Sequence, residues 1–140
     1  MDLEAIRQKG QVILKGLDFP DGELSILIVD DNRIAELNRE YLKREGPTNV
    51  IAFSMMDGPF SDLTPNLLGD VVISVETAVR EGNRAGIGLE ERFMQLLIHG
   101  ILHIFGYDHE KSEKEAEEME KKSVELLKLI GLQENSCGGV

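Results

Sequence analysis

All three histidines of the chain fall in one short run, as His99, His103 and His109, spaced H-x3-H-x5-H. Three imidazoles can bind one divalent ion and leave a coordination position open for water. That is the catalytic form of a zinc site, as opposed to the closed four-ligand structural form. On a helix, side chains four residues apart lie on the same face, so His99 and His103 can reach one ion without distorting the backbone. Gly106 then allows the chain to reverse, because glycine takes positive φ at no steric cost. The reversal is expected to bring His109 back to the same ion. Zn2+ is the expected metal, although three imidazoles and water also suit nickel, copper or iron. Asp108 has two readings, as a partner that fixes the tautomer of a ligand ring or as a turn residue. Cys137 could add a fourth ligand, but structural zinc favours paired cysteines, and the Ser-Cys-Gly-Gly context reads as a frayed tail.

The spacing invites comparison with the zincin pattern H-E-x-x-H-x-x-G-x-x-H. The histidines and Gly106 match it. Gly100 stands where the glutamate general base belongs, and a peptidase of that type needs this carboxylate beside the metal. A zinc metallopeptidase is therefore a distant alternative. The glycine is expected to open space beside the metal that would suit a bulkier group such as a phosphodiester.

These residues must be positioned by the elements around them. Residues 3–16 carry an uneven amphipathic pattern and read as a helix. Residues 23–29, aliphatic and β-branched after a Pro20-Asp21-Gly22 turn, read as a strand. Asp30, Asp31 and Asn32 offer N-caps for a helix through Leu42. Residues 48–55 read as a second strand, 57–67 as a loop, and 71–74 as a third strand apolar enough to be buried on both faces. Helices are expected over 75–85, 89–105 and 112–129, the last with a Ser112/Glu115 capping box. The expected architecture is α+β: a small mixed sheet of three to four strands with about five helices and a metal site at the end of a long helix. One domain should span 1–140, with 133–140 as a frayed tail.

At 140 residues and 15.6 kDa, with 41% hydrophobic and 29% charged residues, the chain can bury a real core. The longest apolar stretches fall short of the roughly 20 residues of a membrane helix. The start, Met1-Asp2-Leu3-Glu4, lacks the basic and apolar regions of a signal peptide. A cytoplasmic location and no membrane partner are expected, and a single cysteine allows no internal disulfide. A net charge of −11 argues against broad, nonspecific binding to nucleic acid. The acidic residues crowd toward the C-terminus, however, while Arg33, Arg39, Lys43, Arg44, Arg80, Arg84 and Arg92 come earlier. That distribution is compatible with a local positive groove.

The run His-Gly-Ile-Leu-His-Ile-Phe-Gly-Tyr-Asp-His resembles the signature H-G-x-x-H-x-x-G-Y-D-H of the YbeY family of bacterial endoribonucleases. Gly46 to Phe53 resembles that family's P-T-[DN]-V-L-S-F strand, and Leu68 to Ile73 its L-G-D-[IV]-x-I strand. The resemblance implies a single-strand-specific, zinc-dependent endoribonuclease of ribosomal RNA processing and ribosome quality control. It also implies metal binding at His99, His103 and His109, and single-stranded ribosomal RNA and the small ribosomal subunit or its factors as partners. Ala52 and Ser54 depart from the family's serine and proline. The family's arginine near the tyrosine falls at Leu42, so Arg44 or Lys43 would have to supply the phosphate contact. The alternative is a ribosome-associated assembly factor whose metal mainly staples the last helices to the sheet.

Overall fold

In the computed structural model, which describes residues 1–56, 63, 65–108 and 110–131, the most apolar strand lies in the middle of the sheet. This is Leu67–Ser74 (β3), flanked by Glu23–Val29 (β1) on one side and Val50–Ser54 (β2) on the other. A central strand must be covered on both faces, and Leu68, Val71, Val72 and Ile73 are all buried. β1 runs parallel to β3, with Ile26 opposite Val71. β2 runs antiparallel, with Ala52 opposite Val71. The mixed sheet has three strands among the described residues, the lower end of the expected range.

β3 starts four residues before the expected Val71. Gly69 and Asp70 interrupt the apolar pattern, yet the ladder holds them, with Gly69 opposite Leu24 and Ser54, and Asp70 opposite Ser25 and Phe53. Gly69 has φ +149°, and a Cβ there would lie 2.0 Å from the Phe53 carbonyl oxygen. Only glycine lets the two backbones approach so closely. The expected loop over 57–67 falls largely outside the described residues.

Five helices surround the sheet: Leu3–Gly16 (α1), Asp31–Leu42 (α2), Val75–Ala85 (α3), Leu89–Ile104 (α4) and Glu113–Leu129 (α5). α4 is the central element. Phe93, Met94, Leu97, Ile98, Ile101 and Leu102 are fully buried, and the core around them draws Ile13 from α1 and Leu126 from α5. α2 covers the opposite face through a smaller cluster of Ile34, Ile51 and Val72. The α+β expectation therefore holds, and so do the helix starts. Asp30 caps α2 by accepting from the Arg33 N–H at 2.8 Å, and Ser112 caps α5 by accepting from the Glu115 N–H at 3.1 Å.

One polar cluster joins α2 to α3. Asp31 Oδ1 accepts hydrogen bonds from Ser74 Oγ and Thr77 Oγ1, each at 2.6 Å, and Asp31 Oδ2 pairs with Arg80 at 2.8 Å. The Arg80 guanidinium, then the Ser74 and Thr77 hydroxyls, hold the Asp31 carboxyl down from its ordinary 3.8 to about 2. A depressed carboxyl stabilises the fold fully above its unfolded value and loses that contribution as pH falls from 3.8 through about 2. Full conversion would give roughly 2.4 kcal/mol. Arg80 is half exposed and solvent screens the pair, so about 1–2 kcal/mol is expected. Asp31→Asn should lower stability by that amount at pH 7 and flatten the loss between pH 4 and pH 2. Urea unfolding at several pH values reads both, and parallel acid limbs for the two proteins would sink the assignment.

Candidate metal centre

The face of α4 that leaves the core carries the chemistry. Arg92, Gln95, His99 and His103 recur at helical spacing on a helix otherwise buried at nine positions. His99 and His103, both half-buried, lie on adjacent turns of it. Their Nε2 atoms are 3.1 Å apart, with the rings near-perpendicular at 74° and their centroids 4.6 Å apart. Two imidazoles on one tetrahedral zinc, with bonds of about 2.0–2.1 Å, place their nitrogens about 3.3 Å apart. The pair thus fits two ligands of a single ion. Among the described residues no group of three or more His, Cys, Asp or Glu side chains forms a ligand set. His109 and Cys137 both lie outside the described residues.

The approach to residue 109 is described. α4 ends at Ile104, and Gly106 takes φ +97°, the reversal expected at that position. Asp108 is half-buried, and its Oδ1 accepts from the Glu110 N–H at 2.9 Å. Of the two readings of Asp108, this bond fits the turn, with the carboxylate accepting from the backbone two residues on.

Gly100 does not open space beside the histidines, and that expectation is corrected. A Cβ at residue 100 would meet Val71 Cγ1 at 2.7 Å and Val50 Cγ2 at 3.2 Å. The position faces the sheet. Its missing side chain lets α4 sit close on β2 and β3, and the site's room comes from elsewhere.

That room is a cleft of about 380 Å³ beside His99, lined also by Asn49, Arg92, Gln95 and, from α5, Glu120 and Val124. A larger cleft of about 580 Å³ lies between the 105–107 turn and α5, and its described lining includes neither His99 nor His103. Volume alone is a poor guide here, because the chemistry sits at the smaller one. Arg92 donates through Nε and Nη2 to Glu81 Oε1 at 3.0 and 2.7 Å, and through Nη1 to Gln95 Oε1 at 2.8 Å. Asn49 Nδ2 donates to both Glu81 oxygens at 3.3 Å. The sequence reading missed this network. The signal was available, since Arg92, Gln95, His99 and His103 form a polar stripe on an apolar helix.

The two phosphate candidates separate. Lys43 is the left-handed C-cap of α2, with φ 58°, and its Nζ donates to the Glu40 carbonyl at 3.0 Å. Arg44 is exposed. Among the other early cations, Arg33 pairs with Glu36, Arg80 with Asp31 and Arg92 with Glu81. No helix of the described residues is long and apolar enough to cross a membrane.

Comparison with known proteins agrees with the sequence motifs. The family described as Endoribonuclease YbeY matches residues 3–131. The Endoribonuclease YbeY of Geobacter sulfurreducens is 50% identical over 126 residues, which cover 89% of this chain and 84% of that protein. That of Aquifex aeolicus is 42% identical over 125 residues, covering 88% and 77%. A solution structure of a Thermotoga maritima protein superposes with a TM-score of 0.67 at 26% identity, covering 91% of this chain and 80% of its own.

Proposed function

The chain belongs to the Endoribonuclease YbeY family, and from that premise we propose that it is a zinc-dependent endoribonuclease of single-stranded RNA. The observation that carries the metal part is the convergence of His99 and His103, with Nε2 atoms 3.1 Å apart on one helical face. His99, His103 and His109 would hold the ion. When bound, zinc supplies a Lewis acid for a phosphoryl oxygen and makes nearby water more acidic. The protein's own residues do the rest. α4, locked in the core, fixes the direction of both imidazoles. The cleft beside His99 leaves room for part of an RNA strand next to the metal, and cations at the end of α2 would neutralise phosphate charge. Processing of ribosomal RNA and ribosome quality control in the cytoplasm, on or beside the small subunit, is the setting this activity fits.

Gly100 argues against peptide hydrolysis. The position that carries a zincin's carboxylate is buried against Val71 and Val50. Chelation separates an enzymatic metal from a stapling one. α4 is held by its own apolar side chains, so chelated protein should still unfold cooperatively, with a melting temperature only a few degrees lower. Its cleavage of single-stranded RNA should fall to background and return on adding zinc. A collapse of the fold on chelation, with no cleavage by the zinc-loaded protein, would support the assembly-factor reading instead.

In the same assay Arg44 is the expected phosphate contact. Its guanidinium can grip phosphate bidentately, whereas the Lys43 ammonium already caps α2. Arg44→Ala should cut cleavage about tenfold, or ~1.4 kcal/mol, and reduce its salt dependence, with metal content unchanged. Wild-type rates in an Arg44→Ala, Lys43→Ala double variant would move the contact to Arg39 or Arg84.

A further inference from the structure

We infer that the cleft beside His99 is a nucleobase subsite, in which Gln95 and Asn49 read the hydrogen-bonding edge of a base next to the bond that is cut. This rests on the RNA-cleaving function proposed above. Amide side chains are often ambiguous in orientation, but here their partners decide it. Arginine has only donors, so the Gln95 atom 2.8 Å from Arg92 must be its oxygen. The Gln95 NH2 group is therefore turned away from Arg92. A carboxylate only accepts, so the Asn49 atom facing Glu81 must be its nitrogen. The Asn49 oxygen is turned away in the same manner. Two residues that line one cleft thus each keep a polar atom that Arg92 and Glu81 do not engage, a donor on Gln95 and an acceptor on Asn49. Arg92 and Glu81 hold both in place, so little side-chain entropy is lost when a ligand binds.

Away from the metal-bearing edge at His99, the described lining of the cleft offers no unpaired lysine or arginine for phosphate. Its cation, Arg92, is already paired with Glu81, and Glu120 adds a further negative charge. In that part of the cleft a neutral polar ring fits better than an anion. Leu96, Val124 and Leu127 supply apolar surface for the flat face of such a ring. An unstacked base carries a donor and an acceptor side by side on its edge, and single-stranded RNA is recognised by such edges and faces. Phosphate would be gripped by exposed cations such as Arg44, and the base would enter here.

Two measurements on zinc-loaded protein test this. In the first, oligoribonucleotides with each of the four bases beside the scissile bond are cleaved by wild type, Asn49→Ala, Gln95→Met and Gln95→Glu. Wild type should prefer its best base over its worst about tenfold or more. Asn49→Ala and Gln95→Met should bring that ratio within about twofold, while metal content stays unchanged and the melting temperature falls by only a few degrees. Gln95→Glu, which exchanges a donor for an acceptor, should change which base is preferred, an outcome that a merely structural role for Gln95 does not produce. In the second, the four nucleosides are titrated while the side-chain amide resonances of Gln95 and Asn49 are followed, with ribose as control. At least one nucleoside should shift both resonances, and ribose should shift neither. A wild type that cuts no RNA overturns the functional reading, and the titration then still decides the subsite. Unmoved amide resonances, or variants that keep the wild-type base ratio, overturn the inference.

Discussion

Replacing His99 or His103 with alanine is expected to remove most of the bound metal and to lower cleavage of single-stranded RNA by at least about 100-fold, or ~2.7 kcal/mol. The two Nε2 atoms lie 3.1 Å apart, so each variant removes half of the pair. Two imidazoles and water hold zinc weakly compared with three. His109→Ala carries the same expectation, which comes from the sequence pattern. Neither His99 nor His103 belongs to the buried core around α4. Melting temperatures should therefore move by only a few degrees, and that contrast separates lost chemistry from lost structure. Ligation needs neutral imidazole, which takes a proton near about pH 6.5 in free form. Zinc affinity of the wild type should accordingly fall below that pH. Elemental analysis, calorimetry from pH 5 to 8 and an RNA-cleavage assay on the same samples check all three claims. A His103→Ala protein that keeps stoichiometric zinc would remove that residue from the site.

Gly100→Glu should severely destabilise the protein, and it should not create a peptidase. In sequence this change restores the zincin motif. In the fold it drives a Cβ to 2.7 Å from Val71 Cγ1. Valine is stiff at χ1 and Val71 is fully buried, so it cannot yield. Overpacking of this kind costs about 1–3 kcal/mol. A carboxylate forced between α4 and the sheet adds the cost of burying a charge without a partner. Together they should exceed about 3 kcal/mol, a large share of a domain's total stability. Gly100→Ala should show the steric part alone, about 1–3 kcal/mol. Urea denaturation measures both. A Gly100→Glu protein with the wild-type midpoint and measurable hydrolysis of model peptides would place residue 100 at the metal instead of the sheet.

The sequence by itself determined the elements and the histidine pair. Period-3.6 apolar patterns, the caps Asp30 and Ser112 and the reversal at Gly106 are local signals, and each sets backbone conformation within a few residues. Side chains at i and i+4 meet on any helix, which is why the closeness of His99 and His103 needed no knowledge of the fold. The start of β3 was not legible, because Gly69 and Asp70 are strand residues only by pairing with β1 and β2. The direction of Gly100 was not legible either. A helix can turn a glycine toward a metal or toward a sheet, and only the packing of α4 on Val71 and Val50 selects the sheet. The cleft beside His99 was hidden for a related reason. Asn49 precedes β2, Glu81 sits on α3, and Arg92 and Gln95 sit on α4, so their hydrogen bonds join segments up to 32 residues apart. Periodicity shows which residues share a face of one element, but which faces of different elements meet is decided by burying the core.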